Sequence, residues 1–209
     1  MMRLILGGTF DPIHWGHLRP AAAAREWLRA DMLHLLPSAQ PPHRDYPAAS
    51  ADQRLSMVQL AARELACCQA DDWELQQARP SYTVQTLAEL KRRWPDDTLV
   101  FLLGDDAFAN LDKWHNWQQL TAHAHLVVMQ RPNHSPGWSP EVLSFYQDHY
   151  ATTPMELTRR SSGLVLLAPT PEVTISATAI RTAIARGEAW EHWLPLAVAD
   201  FIKSHHLYR

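Results

Sequence analysis

The chain has 209 residues, 46% hydrophobic and 20% charged, which fits one globular domain or two small ones with a sizeable core. Its 19 Lys and Arg against 22 Asp and Glu leave a formal charge of −3 with twelve histidines neutral, so no global basic field draws in DNA or RNA. The longest apolar runs, such as Leu99 to Leu103, fall far short of the roughly 20 residues that a membrane-spanning helix needs. Met1 to Gly8 also lacks the longer apolar core of a signal peptide, so the expected location is cytoplasmic.

In chain order, Leu4-Ile5-Leu6 reads as a buried strand ending at Gly7-Gly8, followed by a helix from about Gly16 to Ala30. Met32 to Leu36 predicts a second strand. Asp52 to Ala66 predicts a helix, with Leu55, Val58, Ala62 and Leu65 at helical spacing. The adjacent Cys67 and Cys68 disfavour a disulfide framework, match no zinc-ligand spacing and are expected as buried thiols. Helices are predicted over Thr83 to Trp94 and His115 to Ala122, and strands over Leu99 to Leu103 and Leu126 to Met129. The segment from Arg131 to Ser162, with Pro132, Pro136, Gly137, Pro140 and Pro154, reads as loop-rich. Leu164 to Leu167 predicts the last strand, and helices follow near Ser176 to Arg186 and Pro195 to Lys203.

No repeat or long linker divides the chain, so residues 1–209 are expected to form one domain whose C-terminal helical part starts near 176. Strands alternating with helices imply an α/β class with a doubly wound, mainly parallel sheet. Ligands of such sheets sit at the carboxyl ends of strands where the strand order reverses.

The segment Gly7-Gly8-Thr9-Phe10-Asp11-Pro12-Ile13-His14-Trp15-Gly16-His17 lies between the first strand and its helix. Paired glycines let a phosphate approach the backbone, and the helix start offers unpaired N–H groups to an anion. The usual dinucleotide and P-loop fingerprints are absent. An isolated H-x-x-H is equally compatible with helix capping or with a metal ligand pair, and Ser176 and Thr178 at a predicted helix start are compatible with ordinary capping. Asp106, just after a strand, divides evenly between capping the next helix and binding a ligand.

The run G-G-T-F-D-P-I-H-W-G-H resembles the signature of the nucleotidyltransferase superfamily, whose H-x-G-H motif is matched by His14, Gly16 and His17. In order, Pro37 to Arg44, Pro80-Ser81-Tyr82-Thr83, Gly104-Asp105-Asp106, Trp114, Arg131-Pro132 and Ile175 to Arg181 resemble segments of the bacterial nicotinate-mononucleotide adenylyltransferase family, together spanning almost the whole chain. Ala177, where relatives often carry a hydroxyl, and Asn133, where they often carry glycine, depart from the pattern.

The resemblance implies a Rossmann-like nucleotidyltransferase fold and transfer of AMP from ATP, with Mg²⁺, to nicotinate mononucleotide, releasing deamido-NAD and pyrophosphate. It implies catalytic roles for His14, His17 and Arg181. ATP binding falls to Gly7, Gly8, Thr9, Phe10, Asp11 and Gly16 in the first loop, to Gly104 and Asp106 of the Gly104-Asp105-Asp106 segment, and to Ile175, Ser176 and Thr178. The acceptor falls to His43, Arg44, Tyr82, Thr83, Trp114 and Arg131, with the Trp114 indole suited to a cationic pyridinium face. Trp117, Trp190 and Trp193 are expected to be structural. Alternatives are an adenylyltransferase for another acceptor, nicotinamide mononucleotide or phosphopantetheine, and a non-catalytic nucleotide-binding regulator.

Overall fold

β1 (Met2–Gly8) lies inside the sheet because its side chains are apolar toward both faces. Leu4 and Leu6 enter one core cluster, Ile5 enters the other, and all three are buried, the pattern of a strand covered on both sides. The computed structural model describes residues 1–39, 47–77, 82–130, 137–171 and 173–209. After β1 come α1 (Trp15–Leu28), β2 (Met32–Pro37), α2 (Ala51–Ala62), β3 (Cys68–Ala70), α3 (Thr83–Arg93) and β4 (Thr98–Gly104). Then follow α4 (Asp105–Ala109), α5 (Leu120–His123), β5 (His125–Gln130), α6 (Pro140–His149), β6 (Tyr150–Ala151), α7 (Pro154–Leu157), β7 (Val165–Pro169), α8 (Ala177–Arg186) and α9 (Leu196–Ser204).

The seven strands run in the order β3-β2-β1-β4-β5-β7-β6, and every pairing is parallel. Ile5 sits between His34 of β2 and Phe101 of β4. The chain winds outward from β1 through β2 and β3, then returns to β4 on the other side. The order therefore reverses between β1 and β4, and a crevice opens beyond their carboxyl ends, Gly8 and Gly104. Leu18, Ala21 and Ala24 of α1, Met57, Val58 and Ala61 of α2, Ile180 of α8 and Val198 of α9 cover one face. Val84, Leu87 and Leu90 of α3, Phe108 of α4, Leu120 of α5 and Val142 of α6 cover the other. No helix of the described residues is long and apolar enough to cross a membrane.

Several expectations need correction. The stretch from 137 to 162 is not simply loop: it holds α6, β6 and α7. Pro140 and Pro154 stand in the first turns of α6 and α7, where a missing N–H costs nothing and the fixed φ favours the helix. Ser139 caps α6 by accepting from Val142 N–H at 3.3 Å. The helix expected over 115–122 is a 3-10 turn, Trp117–Gln119, running into the short α5. The helix expected to reach Ala66 stops at Ala62, and the following residues turn into β3, an edge strand too short to show a period. For the same reason the cysteines are not core thiols: Cys67 is exposed at a left-handed φ of +52°, and Cys68 is half-buried on that edge. Burial still pushes the Cys68 thiol up to about 12.

Two buried histidines tie the sheet together. Arg3 Nη1 lies 3.4 Å from His34 Nε2. A guanidinium only donates, and so does the Gln69 amide nitrogen, whose Nε2 lies 3.1 Å from His34 Nδ1, so the ring is flanked by donors on both sides. His125 Nδ1 accepts from Leu164 N–H at 3.0 Å, leaving Nε2–H to donate to the Arg160 carbonyl at 3.0 Å. Burial, reinforced by the Arg3 charge, pulls His34 down to about 4, and burial lowers His125 as well. Unfolding frees both rings to bind protons near the ordinary value of about 6.5. Stability is therefore full above about pH 6.5 and declines as pH falls below it, for His34 until about 4, by up to about 1.4 kcal/mol per pH unit for each such group. Denaturant unfolding followed from pH 7 to pH 4.5 should show this slope, and His34→Gln should flatten it while lowering stability at pH 7.

Candidate functional site

The loop from β1 to α1 is shaped by close approach. A Cβ on Gly8 would lie 2.8 Å from Phe10 Cε1, so only glycine admits the Phe10 ring there. Phe10 is itself buried at φ +51°, a left-handed conformation that non-glycine residues seldom adopt and that neighbours must enforce. The enforcement comes from polar groups. Asp11, followed by a cis peptide to Pro12, is buried, and its Oδ2 and Oδ1 accept from Ala48 N–H and Ala49 N–H at 2.8 and 3.0 Å. Tyr208 donates its hydroxyl to Oδ1 at 2.8 Å. Arg181 Nη1 donates to the Asp11 carbonyl at 2.8 Å and stands 3.9 Å from Oδ2.

A second cation, this one buried, holds the loop from beneath. Arg54 of α2 is 1% exposed. Its Nη1 donates to the carbonyls of Thr9 and Ser38, each at 2.7 Å, and its Nη2 to Ala39 at 3.2 Å. Burial pulls the guanidinium below its ordinary pKa, and the nearby Asp11 and Tyr208 oppose the shift. Ser38 N–H donates to the Gly8 carbonyl at 2.9 Å, so the ends of β1 and β2 form one framework.

His14 caps α1 with an extended backbone. Its ring stacks on His17 with centroids 3.8 Å apart, and Phe10 meets His17 edge-on at 5.2 Å. His14 N–H donates to His17 Nδ1 at 3.4 Å, which sets the proton of a neutral His17 on Nε2. His14 is 2% exposed, burial pulls it down to about 4, and its Nδ1 has no hydrogen-bond partner among the described residues. A Cβ on Gly16 would lie 2.8 Å from His14 Nδ1 and 2.9 Å from the Ile175 carbonyl. Glycine thus lets the start of α1 meet the approach to α8. There Ser176 caps α8 by accepting from Ala179 N–H at 3.1 Å, and Thr178 Oγ1 lies 3.4 Å from Arg181 Nη2. Two helix N-termini, two histidines and a guanidinium form a basin for anionic oxygen.

The other half is built on β4. Gly104 caps the short α4, and a Cβ there would meet nothing within 4 Å. Asp106 is exposed in the first turn, and Asp105 is buried beside it. A Cβ on Gly7 would touch Phe101 at 3.4 Å, and Phe101 meets the half-buried Trp114 edge-on at 6.3 Å. Tyr82 caps α3, whose first residue is Thr83, and its ring lies 4.5 Å from that of His115. Glu74 accepts from the Thr86 hydroxyl at 2.6 Å and so fixes this end of α3.

The structure joins Asp11 to Arg181, His14 to His17, Gly16 to Ile175, and Gly7 through Phe101 to Trp114. It turns the Asp11 carboxylate inward, as a support of the loop. His43, Arg44 and Arg131 lie outside the described residues. Arg54, Phe101, His115 and Tyr208 join the site although sequence reading passed over them. Arg54 had a usable signal, since it shares the apolar stripe of Met57, Val58 and Ala61. Trp190 is buried as expected, and Trp117 packs edge-on against Phe145. An open groove of about 760 Å³ lies elsewhere, lined by residues such as His149, Arg159 and Gly163. It shares none of these side chains, so chemistry rather than volume marks the strand ends as the site.

A family model described as cytidylyltransferase-like matches residues 5–183. Over 211 residues the chain is 45% identical to a protein of Idiomarina loihiensis named "Probable nicotinate-nucleotide adenylyltransferase", covering 100% of each. A protein of the same name from Aeromonas salmonicida is 43% identical over 205 residues, covering 98% of this chain and 96% of the other. In three dimensions the chain resembles Plasmodium falciparum nicotinic acid mononucleotide adenylyltransferase complexed with NaAD, with a TM-score of 0.75, 16% identity, and coverage of 99% and 97%. At that identity the likeness speaks for the fold.

The two glycines should separate in their effects on stability. Gly16→Ala is expected to cost about 1 to 3 kcal/mol, because its methyl meets the His14 ring and a carbonyl. Gly104→Ala should stay within about 1 kcal/mol of wild type. Urea denaturation of the two variants checks this, and equal costs would contradict the packing account.

Proposed function

This chain belongs to the cytidylyltransferase-like family, as a nicotinate-nucleotide adenylyltransferase of NAD biosynthesis, and from that premise we propose how its residues carry the reaction. The observation that carries the reading is the stacked His14 and His17 pair at the start of α1, with Gly16 between that pair and the Ile175 carbonyl at the approach to α8. The enzyme uses ATP. In the reaction proposed here the 5′-phosphate of nicotinate mononucleotide attacks the α-phosphorus. A bond forms from the acceptor oxygen to that phosphorus, the bond to the bridging oxygen breaks, and pyrophosphate leaves with its electron pair. A phosphate monoester has its second pKa near about 6, so it is already nucleophilic at neutral pH and needs no strong base.

Catalysis then rests on positioning and charge stabilisation. At neutral pH His14 is an uncharged hydrogen-bonding group, since burial holds it near 4. His17, Arg181 and the N-termini of α1 and α8 are assigned to the triphosphate, Arg181 supplying fixed positive charge. Ser176 and Thr178 contribute donors at the α8 start, Ile175 sets its approach against Gly16, and Gly7, Gly8, Thr9, Phe10, Asp11 and Gly16 shape the loop. The open space over Gly104 suits a nucleotide lying against the backbone, with Asp106 as its ribose partner.

On the acceptor side, Trp114 offers an indole face to the pyridinium. The first-turn N–H groups at Tyr82 and Thr83 offer donors to its carboxylate, and His43, Arg44 and Arg131 are assigned to its phosphate. Mg²⁺ is assigned to the triphosphate, where phosphate oxygens and water would make up most of its octahedral shell. Bound so, Mg²⁺ supplies charge neutralisation on the triphosphate. A cytoplasmic location, where ATP is made, belongs to the same proposal.

Pyrophosphate release from ATP and Mg²⁺, compared at matched concentrations of nicotinate mononucleotide, nicotinamide mononucleotide and phosphopantetheine, tests the reading. The nicotinate acceptor should win. Preference for another would remove the roles of Tyr82, Thr83 and Trp114, and release with none would leave a nucleotide-binding regulator. In the same assay His17→Ala should lower kcat about 100-fold, while Trp114→Ala should raise the acceptor KM about tenfold with little change in kcat. Wild-type kcat in the first variant, or wild-type KM in the second, contradicts the assignment.

A further inference from the structure

We propose that Tyr208 is a positioning residue for the phosphate loop, acting through the buried carboxylate of Asp11; the inference rests on the roles of His14 and His17 proposed above. After α9 the chain folds back on itself: His206 N–H donates to the Lys203 carbonyl at 3.2 Å and Leu207 N–H to the Ile202 carbonyl at 3.1 Å. His206 and Tyr208 adopt left-handed φ values of +53° and +65°. Non-glycine residues hold such conformations only where their surroundings enforce them. Leu207 and Tyr208 pack against the core cluster shared by α1, α2 and α9.

Ring packing explains the phenyl group of Tyr208 but not its hydroxyl. That hydroxyl donates at 2.8 Å to Asp11 Oδ1, 197 positions away in the chain. Oδ1 has Ala49 N–H as its other donor, and Oδ2 has Ala48 N–H. Burial first, and then the Asp11 charge, push the phenol far above its ordinary pKa, so it remains a donor. The third donor fixes the plane of the carboxylate, while Arg181 fixes the carbonyl of the same residue. Asp11 is followed by Pro12 and Ile13, both buried, and then by His14. A rotation at Asp11 therefore passes along three residues into the ring that meets the phosphate. Phosphoryl transfer is sensitive to sub-ångström displacement of its positioning groups. The hydroxyl of Tyr208 thus acts on the reaction from outside the basin.

The test uses the full chain as wild type, Tyr208→Phe, Asp11→Asn and the double variant, with ¹⁵N-labelled histidine. Tyr208→Phe keeps the ring and removes the hydroxyl. It should lower kcat about tenfold while the KM for ATP stays within about twofold. The imidazole resonances of His14 and His17 should move, while those of His34 and His125, buried elsewhere, should not. The double variant should lose no more activity than Asp11→Asn alone, because both changes act on one carboxylate. Unmoved His14 and His17 resonances, or a wild-type kcat in Tyr208→Phe, overturn the proposal, as do losses that multiply in the double variant. If Asp11→Asn does not fold, the Tyr208→Phe comparison decides. If wild type itself releases no pyrophosphate, the proposed roles of the histidines fall, and the resonance comparison still decides whether Tyr208 positions them.

Discussion

A buried carboxylate governs the geometry of the site. Asp11 takes two backbone N–H donors from residues 48 and 49 and a phenol from residue 208, and its carbonyl takes a guanidinium from residue 181. Three remote parts of the chain therefore meet at one residue, three positions before the histidine that caps α1. Desolvating a carboxylate is costly unless its oxygens are satisfied, so the loop has few arrangements open to it. Arg54 applies the same logic from below, spending its Nη donors on loop carbonyls that the sheet itself cannot pair.

This rigidity suits a reaction in which the protein supplies no attacking group. Where the nucleophile and the leaving group both belong to substrates, acceleration comes from holding phosphate oxygens in place and meeting charge with preorganised dipoles. The sheet contributes by its winding. The reversal between β1 and β4 leaves their ends uncovered by any crossover, so the glycine loop and the Gly104 turn face one crevice. Phe101, on β4, reaches both Gly7 and Trp114 and so fixes the spacing between the two halves.

The long strands were legible because they are apolar on both faces, and Leu4 to Leu6, Leu99 to Leu103 and Leu126 to Met129 all fall within central strands. β3 and β6 were not, since three and two residues carry no period. Pro140 and Pro154 misled because a proline at a helix start looks locally like one that breaks a helix. At the site, the glycine and histidine motif and the Ser176 cap were readable from local spacing. The inward turn of the Asp11 carboxylate was not legible, because a motif does not disclose which way a side chain turns. Tyr208 carried no local signal, for its meaning depends on a contact made across 197 positions.

The two strands that eluded the sequence pattern end the sheet on either side. An edge strand exposes a row of unpaired backbone groups, and a long, flat one invites strand-to-strand addition by another chain. Here one edge is the three residues of β3 and the other the two residues of β6, so each presents a template of barely a single hydrogen-bonded step. A sheet of five longer inner strands, apolar and largely buried, is thus closed at both margins by brevity. Association between copies through a shared sheet is thereby disfavoured.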